Sequence, residues 1–150
     1  MVNSKFKAQV HAQVVKLIEA QRQGVTQAIN QQNEGAQGSS SAGDKHNTEG
    51  AMQHLELEKK HIQLATIIQN QQTLQKFNLK KGFTSVNSGA LIITNKGLFY
   101  LAVAAGKITV VNKEIMVLSI ASPIGQILKG MKKGDSTSFN EQPWTILDIF

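Results

Sequence analysis

The sequence has 150 residues, of which 41% are hydrophobic, and this predicts one ordinary folded domain or two small ones rather than a disordered chain. Its 16 basic and 10 acidic residues give a formal charge of +6, which favours polyanionic surroundings such as nucleic acid, but Arg22 is the one arginine, which argues against direct base recognition. The absence of cysteine excludes disulfides, thiol nucleophiles and the usual structural zinc sites, and is typical of a reducing compartment.

No segment has the pattern of a secretion signal or a membrane span. The first residues, MVNSKFKAQVHAQ, carry polar side chains at every turn. The longest apolar run, residues 98–105, is far shorter than the roughly 20 residues that a spanning helix needs. We therefore expect a soluble cytoplasmic protein without a membrane partner.

The composition changes near Phe77. Fourteen of the sixteen glutamines precede this residue, whereas both prolines follow it. We predict a helical hairpin over residues 1–77, with a tip loop at about residues 35–47, and a strand-rich domain over residues 78–150. The predicted fold class is α+β.

The first helix of the predicted hairpin carries one apolar stripe over residues 4–34. Its members recur mainly at spacings of 4 and 7, which places them on one side of a helix. They are Val10, Val14, Leu17, Ile18, Val25 and Ile29.

The second helix, at about residues 48–76, carries two apolar lines. One contains Met52, Leu55 and Ile62, and the other contains Leu57, Leu64, Ile67 and Leu74. Two lines predict a helix in contact with more than one neighbour. The glycine- and serine-rich segment GAQGSSSAGDKH between the helices is long enough to reverse the chain, so we predict an antiparallel coiled coil with helices roughly 40 Å long.

The second domain contains five strand-like segments: GALIITN, GLFYLAVA, KITVV, KEIMVLS and PWTILDIF. A short helix over residues 123–129 precedes the last of them. Ser122 suits its N-cap, Pro123 its first position and Gly130 its left-handed end, and Ile124, Ile127 and Leu128 are expected to form its buried stripe. We predict an antiparallel sheet with one packed helix.

The motifs of several enzyme classes are absent. The sequence contains no GxGxxG, P-loop, HExxH or GxSxG pattern, which argues against a stand-alone enzyme. All four histidines lie in the hairpin, and His54 and His61, seven residues apart, could share a metal. No third ligand is placed to complete such a site, so we expect polar histidines on helix surfaces.

Asp44 is the most notable residue of the predicted tip, because it places a negative charge at the end of the longest element of a basic chain. One interpretation is a functional acid. The other is a helix N-cap, which contributes about 1 kcal/mol through a hydrogen bond to an early backbone N–H. The two roles are compatible, and the sequence leaves both open.

The segment SIASPIGQILKGMKKGD, residues 119–135, resembles the Ser-Pro-[Ile/Leu]-Gly/Ala helix and Gly-x-x-x-Gly-Asp turn of the Gre transcript-cleavage factors, which bind bacterial RNA polymerase. The flanking NKGLFYLAVAAGKITVV and STSFNEQPWTILDI fit the same domain, and GDKHNTEG lies where that family has its hairpin tip. The resemblance is close over residues 88–150 and rests mostly on pattern in the hairpin. It implies that residues 78–150 form an FKBP-like domain.

The resemblance also implies a transcription elongation factor that acts on the polymerase elongation complex. The FKBP-like domain is expected to dock near the secondary channel of the polymerase, while the hairpin brings Asp44 to the catalytic Mg²⁺, where the polymerase itself cleaves backtracked RNA. One carboxylate is useful there because Mg²⁺ takes one or two carboxylates besides water and phosphate oxygens. The chain then needs no cofactor of its own, and the nascent RNA is an additional candidate contact. The expected polymerase-binding residues are Ser122, Pro123, Ile124, Gly125 and Lys129.

Asn47 departs from the family pattern. The family carries an acid three residues after the tip Asp, and Asn47 offers a carbonyl oxygen without a negative charge or a general base. Glu49 is the nearest substitute, but two residues rotate a side chain by about 200° on a formed helix. Glu49 can therefore replace the missing acid only if the helix starts late.

Two alternatives stay open. The first is a regulator that occupies the polymerase channel without promoting cleavage. The second is a coiled-coil binding module unrelated to transcription, whose FKBP-like domain acts on prolyl bonds. Lys129, Lys132 and Lys133 either complement an acidic surface or RNA phosphate, or form a solvated basic rim. The oligomeric state is not determined by the sequence.

Overall fold

The computed structural model describes residues 2–38 and 47–150, with side chains at residues 2–32 and 52–150. The elements are α1 (Ser4–Gly38), α2 (Asn47–Gln75), β1 (Leu91–Thr94), β2 (Gly97–Leu101), β3 (Gly106–Val110), β4 (Lys113–Leu118), α3 (Pro123–Leu128), β5 (Ser136–Phe139) and β6 (Gln142–Ile149). A pair of long helices followed by a sheet and one short helix confirms the predicted α+β class.

The chain divides into two compact units. One contains Met1–Leu17 and Gln72–Phe150, and the other contains Ile18–Gln71. The division falls inside the two long helices, and the domain boundary expected at residues 77 and 78 stays a prediction. No helix within the described parts of the chain is long and apolar enough to cross a membrane.

The two helices of the unit Ile18–Gln71 run antiparallel, as predicted. Near one end, the Arg22 guanidinium donates a 2.7 Å hydrogen bond to the side chain of Gln71, which donates in turn to Glu19. Farther along, Gln32 Nε2 donates to the carbonyl oxygen of Gln53 at 2.9 Å, and Lys60 Nζ donates to Gln32 Oε1 at 2.8 Å. Because residue numbers rise on one helix as they fall on the other, these contacts fix the direction of the pair.

Burial along α1 follows the predicted stripe. Val10, Val14, Ile18 and Ile29 are buried, while Leu17 and Val25 are half-buried. With 35 residues, α1 is about 50 Å long at 1.5 Å per residue, longer than expected, because the helix continues to Gly38 through a glycine-rich sequence.

The two apolar lines of α2 have different environments. Leu57 and Leu64 are half-buried and Ile67 and Leu74 are buried, so this line packs. Met52, Leu55 and Ile62 are instead 59%, 56% and 67% exposed. The expectation that both lines contact a neighbour is therefore met by only one of them within the described chain.

The six strands form one sheet in the order β3-β4-β2-β1-β6-β5. The prediction of a wholly antiparallel sheet was wrong, because β2 pairs parallel with β4, for example Phe99 with Met116. The physical reason is that β3 lies at the edge and returns through a tight turn, where Val111 and Asn112 have positive φ, so that β4 enters between β3 and β2.

The sequence pattern does not predict strand β5. Its residues, STSF, lack the apolar run by which the other strands were recognised, and their burial alternates between exposed and intermediate. Asn140 and Glu141, both with positive φ, form the turn that pairs β5 with β6.

One core of the sheet unit lies where α3 packs. It is a cluster of buried residues at or near zero exposure: Val86, Ala90, Ile92, Leu101, Leu128 and Ile146. Leu128 comes from α3, so the core fixes that helix and the segment around it.

Candidate functional site

The segment that resembles the Gre motif begins with a capped helix. Ser122 is the N-cap of α3, and its hydroxyl oxygen accepts a 3.1 Å hydrogen bond from the backbone N–H of Gly125. Pro123 occupies the first turn, where its missing N–H costs nothing. Gly130, with φ of 83°, follows the end of the helix. The prediction of a capped helix at this place is confirmed.

Gly125 is required by close packing. A Cβ atom at this position would lie 2.5 Å from the carbonyl oxygen of Ser119 and 2.7 Å from that of Ile120, distances that side chains do not tolerate. The first turn of α3 thus sits directly on the preceding backbone, and only glycine allows this approach.

The turn after α3 is fixed by its own hydrogen bonds. The backbone N–H of Gly130 donates to the Val86 carbonyl at 2.8 Å, and the Asp135 carboxylate accepts from the backbone N–H of Lys132 at 2.9 Å. Gly134 has φ of 92°, a conformation that favours glycine. Each motif residue named here therefore has a local structural role, which places the α3 surface in one defined conformation.

The five expected polymerase-binding residues differ in accessibility. Pro123 and Lys129 are exposed, Ser122 is half-buried, and Gly125 is buried. Ile124 is half-buried and packs against the core cluster. Only Pro123 and Lys129 among the five are thus fully available to a partner, while the others shape the helix that presents them.

The prediction that Ile127 belongs to the buried stripe of α3 was wrong. It is 38% exposed, whereas Ile124 and Leu128 contact or form the core. With six residues, α3 buries one i, i+4 pair and leaves Ile127 at the edge of that face. Four positions after Pro123, Ile127 adds an apolar side chain to the exposed surface of α3, which the sequence pattern did not reveal.

The three lysines near α3 are not equivalent. Lys133 Nζ lies 3.8 Å from a carboxylate oxygen of Asp148, and both side chains are well exposed, so this ion pair contributes little to stability. Lys129 and Lys132 form no ion pair with any residue of the described chain. Neither ammonium group is therefore held in an ion pair at the surface of the motif.

A second polar cluster lies in the sheet unit around the first turns of α1. Lys7 is only 2% exposed, and its ammonium donates a 3.0 Å hydrogen bond to the carbonyl oxygen of Phe150 and lies 4.6 Å from the centre of the Phe83 ring. Burial lowers the pKa of Lys7 to about 8. The aromatic face and the carbonyl replace part of the lost hydration.

His11 belongs to the same cluster. Its Nδ1 atom lies 2.7 Å from the hydroxyl of the fully buried Tyr100, and its ring packs edge-on against Phe77. Burial, with a smaller effect of the Lys7 charge, lowers the pKa of His11, and burial raises the pKa of Tyr100. The expectation of polar histidines on helix surfaces does not describe the environment of His11, which is half-buried because the sheet supplies a hydroxyl partner that the helix pattern does not show.

His54 and His61 are exposed on α2, and no group of three potential metal ligands occurs in the described chain. Their use as metal ligands therefore has no support from the residues that surround them.

The aromatic residues of the second domain serve mainly as core. Tyr100 is fully buried, and Phe99 and Trp144 pack against the core cluster with ring centres 5.1 Å apart. Phe99 also lines an open cavity of about 380 Å³ together with Lys96, Leu98, Lys107, Glu114 and Met116.

The predicted tip lies mostly outside the described residues. This holds for Asp44, so its roles as functional acid and as N-cap both stay predictions. The backbone of α2 begins at Asn47, and the side chains of Asn47 and Glu49 lie outside the described residues. The roles of Asn47 and Glu49 therefore stay predictions.

Comparisons with known proteins give matches at the level of structure only. No protein-family model and no curated protein sequence matches the chain. The GreA factor homolog 1 (Gfh1) of Thermus thermophilus is similar over 93% of this chain and 92% of its own, at 16% identity and a TM-score of 0.34. Gfh1 of Thermus aquaticus is similar over 88% and 90%, at 17% identity and a TM-score of 0.30.

A further solved structure, described as the transcription factor Gfh1, covers 90% of this chain at 16% identity and a TM-score of 0.34. These proteins bear the name of the family that residues 119–135 resemble. At such identities and TM-scores, the match by itself carries no conclusion about function.

Proposed function

We propose that the protein is a cytoplasmic, Gre-type transcription elongation factor that binds bacterial RNA polymerase in its secondary channel and stimulates cleavage of backtracked RNA. The observation that supports this proposal best is the segment 119–135, which resembles the Gre motif along its whole length. In this chain the segment forms a capped helix that exposes Pro123, Ile127 and Lys129.

The proposed chemistry belongs to the polymerase. Asp44 would contribute a carboxylate to the Mg²⁺ that the polymerase holds, and the ion would supply the Lewis-acid chemistry of the cleavage. No step requires a cofactor bound to this chain alone. The charges of Lys129 and Lys132, which form no ion pair within the described chain, favour an acidic surface of the polymerase as the docking partner.

The test is a cleavage assay on a halted, backtracked elongation complex. We expect the purified protein to release short 3′ RNA fragments faster than the polymerase does alone, and Asp44→Asn to abolish this stimulation. Stimulation that is unchanged by Asp44→Asn would refute the assigned role of the tip acid.

A second candidate is a regulator that occupies the same channel without promoting cleavage. One observation favours it: Asn47 stands where the family has an acid, and its amide offers neither a negative charge nor a general base. For this candidate we expect no cleavage by the natural chain and a gain of cleavage by Asn47→Glu. Strong cleavage by the natural chain eliminates this candidate. Failure to bind polymerase at all would instead favour a coiled-coil binding module unrelated to transcription.

A further inference from the structure

A cavity of about 350 Å³ lies in the sheet unit, lined by residues from the first turns of α1, the segment before β1 and the end of β6. Its apolar walls are formed by four half-buried residues: Leu79, Phe83, Ile149 and Phe150. Small-molecule sites in proteins typically have volumes of about 300–1,000 Å³, with mostly apolar walls and a few polar groups. The cavity therefore has the size and the walls of a site for a small ligand.

Among the described residues, three lysines and no acidic side chain line this cavity. Lys7 is buried, whereas Lys80 and Lys81 are exposed at the rim. Asp148 precedes the lining residues of β6, but successive side chains of a strand point to opposite faces, and its carboxylate lies 3.8 Å from Lys133 Nζ. The cavity thus combines apolar walls with positive charge, which favours an anion with an apolar body.

The Lys7 ammonium has hydrogen-bonding capacity that the fold does not use. Its three N–H donors have one hydrogen-bond acceptor among the described residues, the main-chain oxygen of Phe150 at 3.0 Å. Another side of the ammonium faces the ring of Phe83, 4.6 Å from the ring centre, and Phe83 is itself a wall of the cavity. Buried charges are as a rule paired as well as hydrogen-bonded. Lys7 can therefore take a further acceptor from a ligand.

The titration of Lys7 agrees with this description. Burial lowers the pKa of Lys7 to about 8, which means that its contacts within the chain do not fully replace the hydration that the ammonium has lost. A carboxylate within hydrogen-bond distance favours the charged form of a lysine. The stabilisation of that form contributes to the affinity for the ligand.

We propose that this cavity binds a small monocarboxylate with an aromatic or aliphatic body, and that the carboxylate accepts a hydrogen bond from the Lys7 ammonium. The apolar body lies against the walls of the cavity. The two rim lysines attract the anion to the entrance. This ligand site is independent of the proposed function, because its lining includes neither the hairpin tip nor α3.

A phosphate group fits the cavity less well than a carboxylate. Its second negative charge is costly to desolvate against apolar walls, and one buried ammonium does not balance it. Bidentate binding of phosphate is mostly the role of arginine, and Arg22, the one arginine of the chain, is not among the lining residues. One carboxylate matches the single buried ammonium in charge.

The first experiment titrates the natural full chain with hydrocinnamate, followed by the NMR chemical shifts of the methyl groups of Leu79 and Ile149. Hydrocinnamyl alcohol, which has the same apolar body without the charge, is the matched control. We expect saturable binding of the carboxylate, with an affinity about tenfold or more above that of the alcohol, because a hydrogen bond between charged groups is stronger than one to a neutral hydroxyl.

Equal affinities of the two compounds, or no saturable binding of hydrocinnamate, would overturn the proposal. Inorganic phosphate is titrated in a third sample. Tighter binding of phosphate than of hydrocinnamate would also overturn the proposal, because it would show that the apolar walls do not contribute to recognition.

Lys7→Met tests the role of the buried ammonium, because methionine keeps an apolar stem and removes the charge. We expect this variant to bind hydrocinnamate about tenfold or more weakly than the natural chain and to bind the alcohol with unchanged affinity. Lys5→Met, at an exposed position of α1 outside the lining, is the matched control and is expected to change neither affinity.

Unchanged binding of hydrocinnamate by Lys7→Met would contradict the proposed contact. Equal weakening of both compounds would contradict it too, because it would show that Lys7 shapes the cavity without binding the carboxylate.

The rim lysines are expected to have a smaller effect that depends on salt. Combined Lys80→Gln and Lys81→Gln should weaken the binding of hydrocinnamate a few-fold at low ionic strength, and the difference should shrink as salt is added. The same affinity in this double variant and the natural chain at low ionic strength would contradict the role assigned to the rim.

Discussion

The sheet and the helix pair are stabilised in different ways. In the sheet unit, Leu91, Ile92, Leu101, Ile115 and Ile146 have no exposed surface. In the described part of Ile18–Gln71, the buried apolar residues are Ile18, Ile29 and Ile67, and polar ties such as the one from Arg22 to Gln71 join the helices. An enclosed core makes the sheet a rigid platform, whereas a single line of packing leaves most of the helix surface free for other contacts.

The largest expected effect is on the free energy of unfolding, where a substitution in the sheet core is compared with one on the surface of the helix pair. Leu101→Ala removes a side chain from the core cluster and is expected to lower the free energy of unfolding by about 2–5 kcal/mol. Ile62→Ala, on the exposed face of α2, is expected to change it by less than about 0.5 kcal/mol at concentrations where the chain is monomeric. Urea unfolding measures both, and similar losses would contradict the contrast.

Gly125→Ala tests the close approach beneath α3. The added methyl group meets two backbone carbonyl oxygens that cannot move independently, so we expect a loss of about 1–3 kcal/mol in unfolding free energy. Gly82→Ala is the matched control, because nothing lies within 4 Å of a Cβ atom there. Equal free energies of unfolding of the two variants would show that the backbone beneath α3 can move to accept the added methyl group.

Because of Lys7, the free energy of unfolding of the sheet unit depends on pH. Its pKa of about 8 in the folded chain lies below the ordinary 10.5, so the unfolded state binds the proton more tightly. Below pH 8 the cost of burying the charge is fully present, and stability rises as pH increases from 8 toward 10.5 because the folded state loses the proton first.

Between about pH 7 and about pH 10, the natural chain should therefore gain about 2 kcal/mol relative to Lys7→Met, which keeps the apolar stem and removes the charge. If the free energy of unfolding changes with pH in the same way in both chains, the buried ammonium is stabilised more strongly than its contacts indicate.

Ser122→Ala has the smallest expected effect. Loss of the hydrogen bond to the Gly125 N–H is expected to cost about 1 kcal/mol, and Ser122→Asp should restore most of it, because a carboxylate also caps a helix. Ser138→Ala on the exposed part of β5 is expected to be nearly neutral. If Ser122→Ala leaves the free energy of unfolding unchanged, the Ser122 cap does not stabilise α3.

The elements with strong local patterns could be predicted from the sequence. The α1 stripe and the cap of α3 depend on residues close together in the chain, and both were found. Strand β5 is short and polar, so its pairing with β6 depends on a turn rather than on an apolar run. The parallel pairing of β2 with β4 depends on where β3 is placed, which no local pattern encodes.

The candidate site shows the same limit. Ser122 and Pro123 were identified by their types and spacing, and Gly125 by the resemblance to the Gre motif. The exposure of Ile127 and the burial of Lys7 result instead from contacts across the fold. The outer face of α2 was visible as an apolar line, and only the packing of the other line shows which of the two is exposed. The sequence patterns therefore indicate where the α3 surface and the apolar lines of α2 lie, but they do not show which of their side chains are exposed to a partner.

The most direct test of the account separates docking by α3 from action by the hairpin. Cleavage of a backtracked elongation complex is measured against protein concentration for the natural chain, Asp44→Asn and Lys129→Glu. We expect Lys129→Glu to raise the half-saturating concentration several-fold while the maximal rate is kept. Asp44→Asn should lose the maximal rate yet still compete with the natural chain for the polymerase. Cleavage by Asp44→Asn at the natural maximal rate would contradict the central claim.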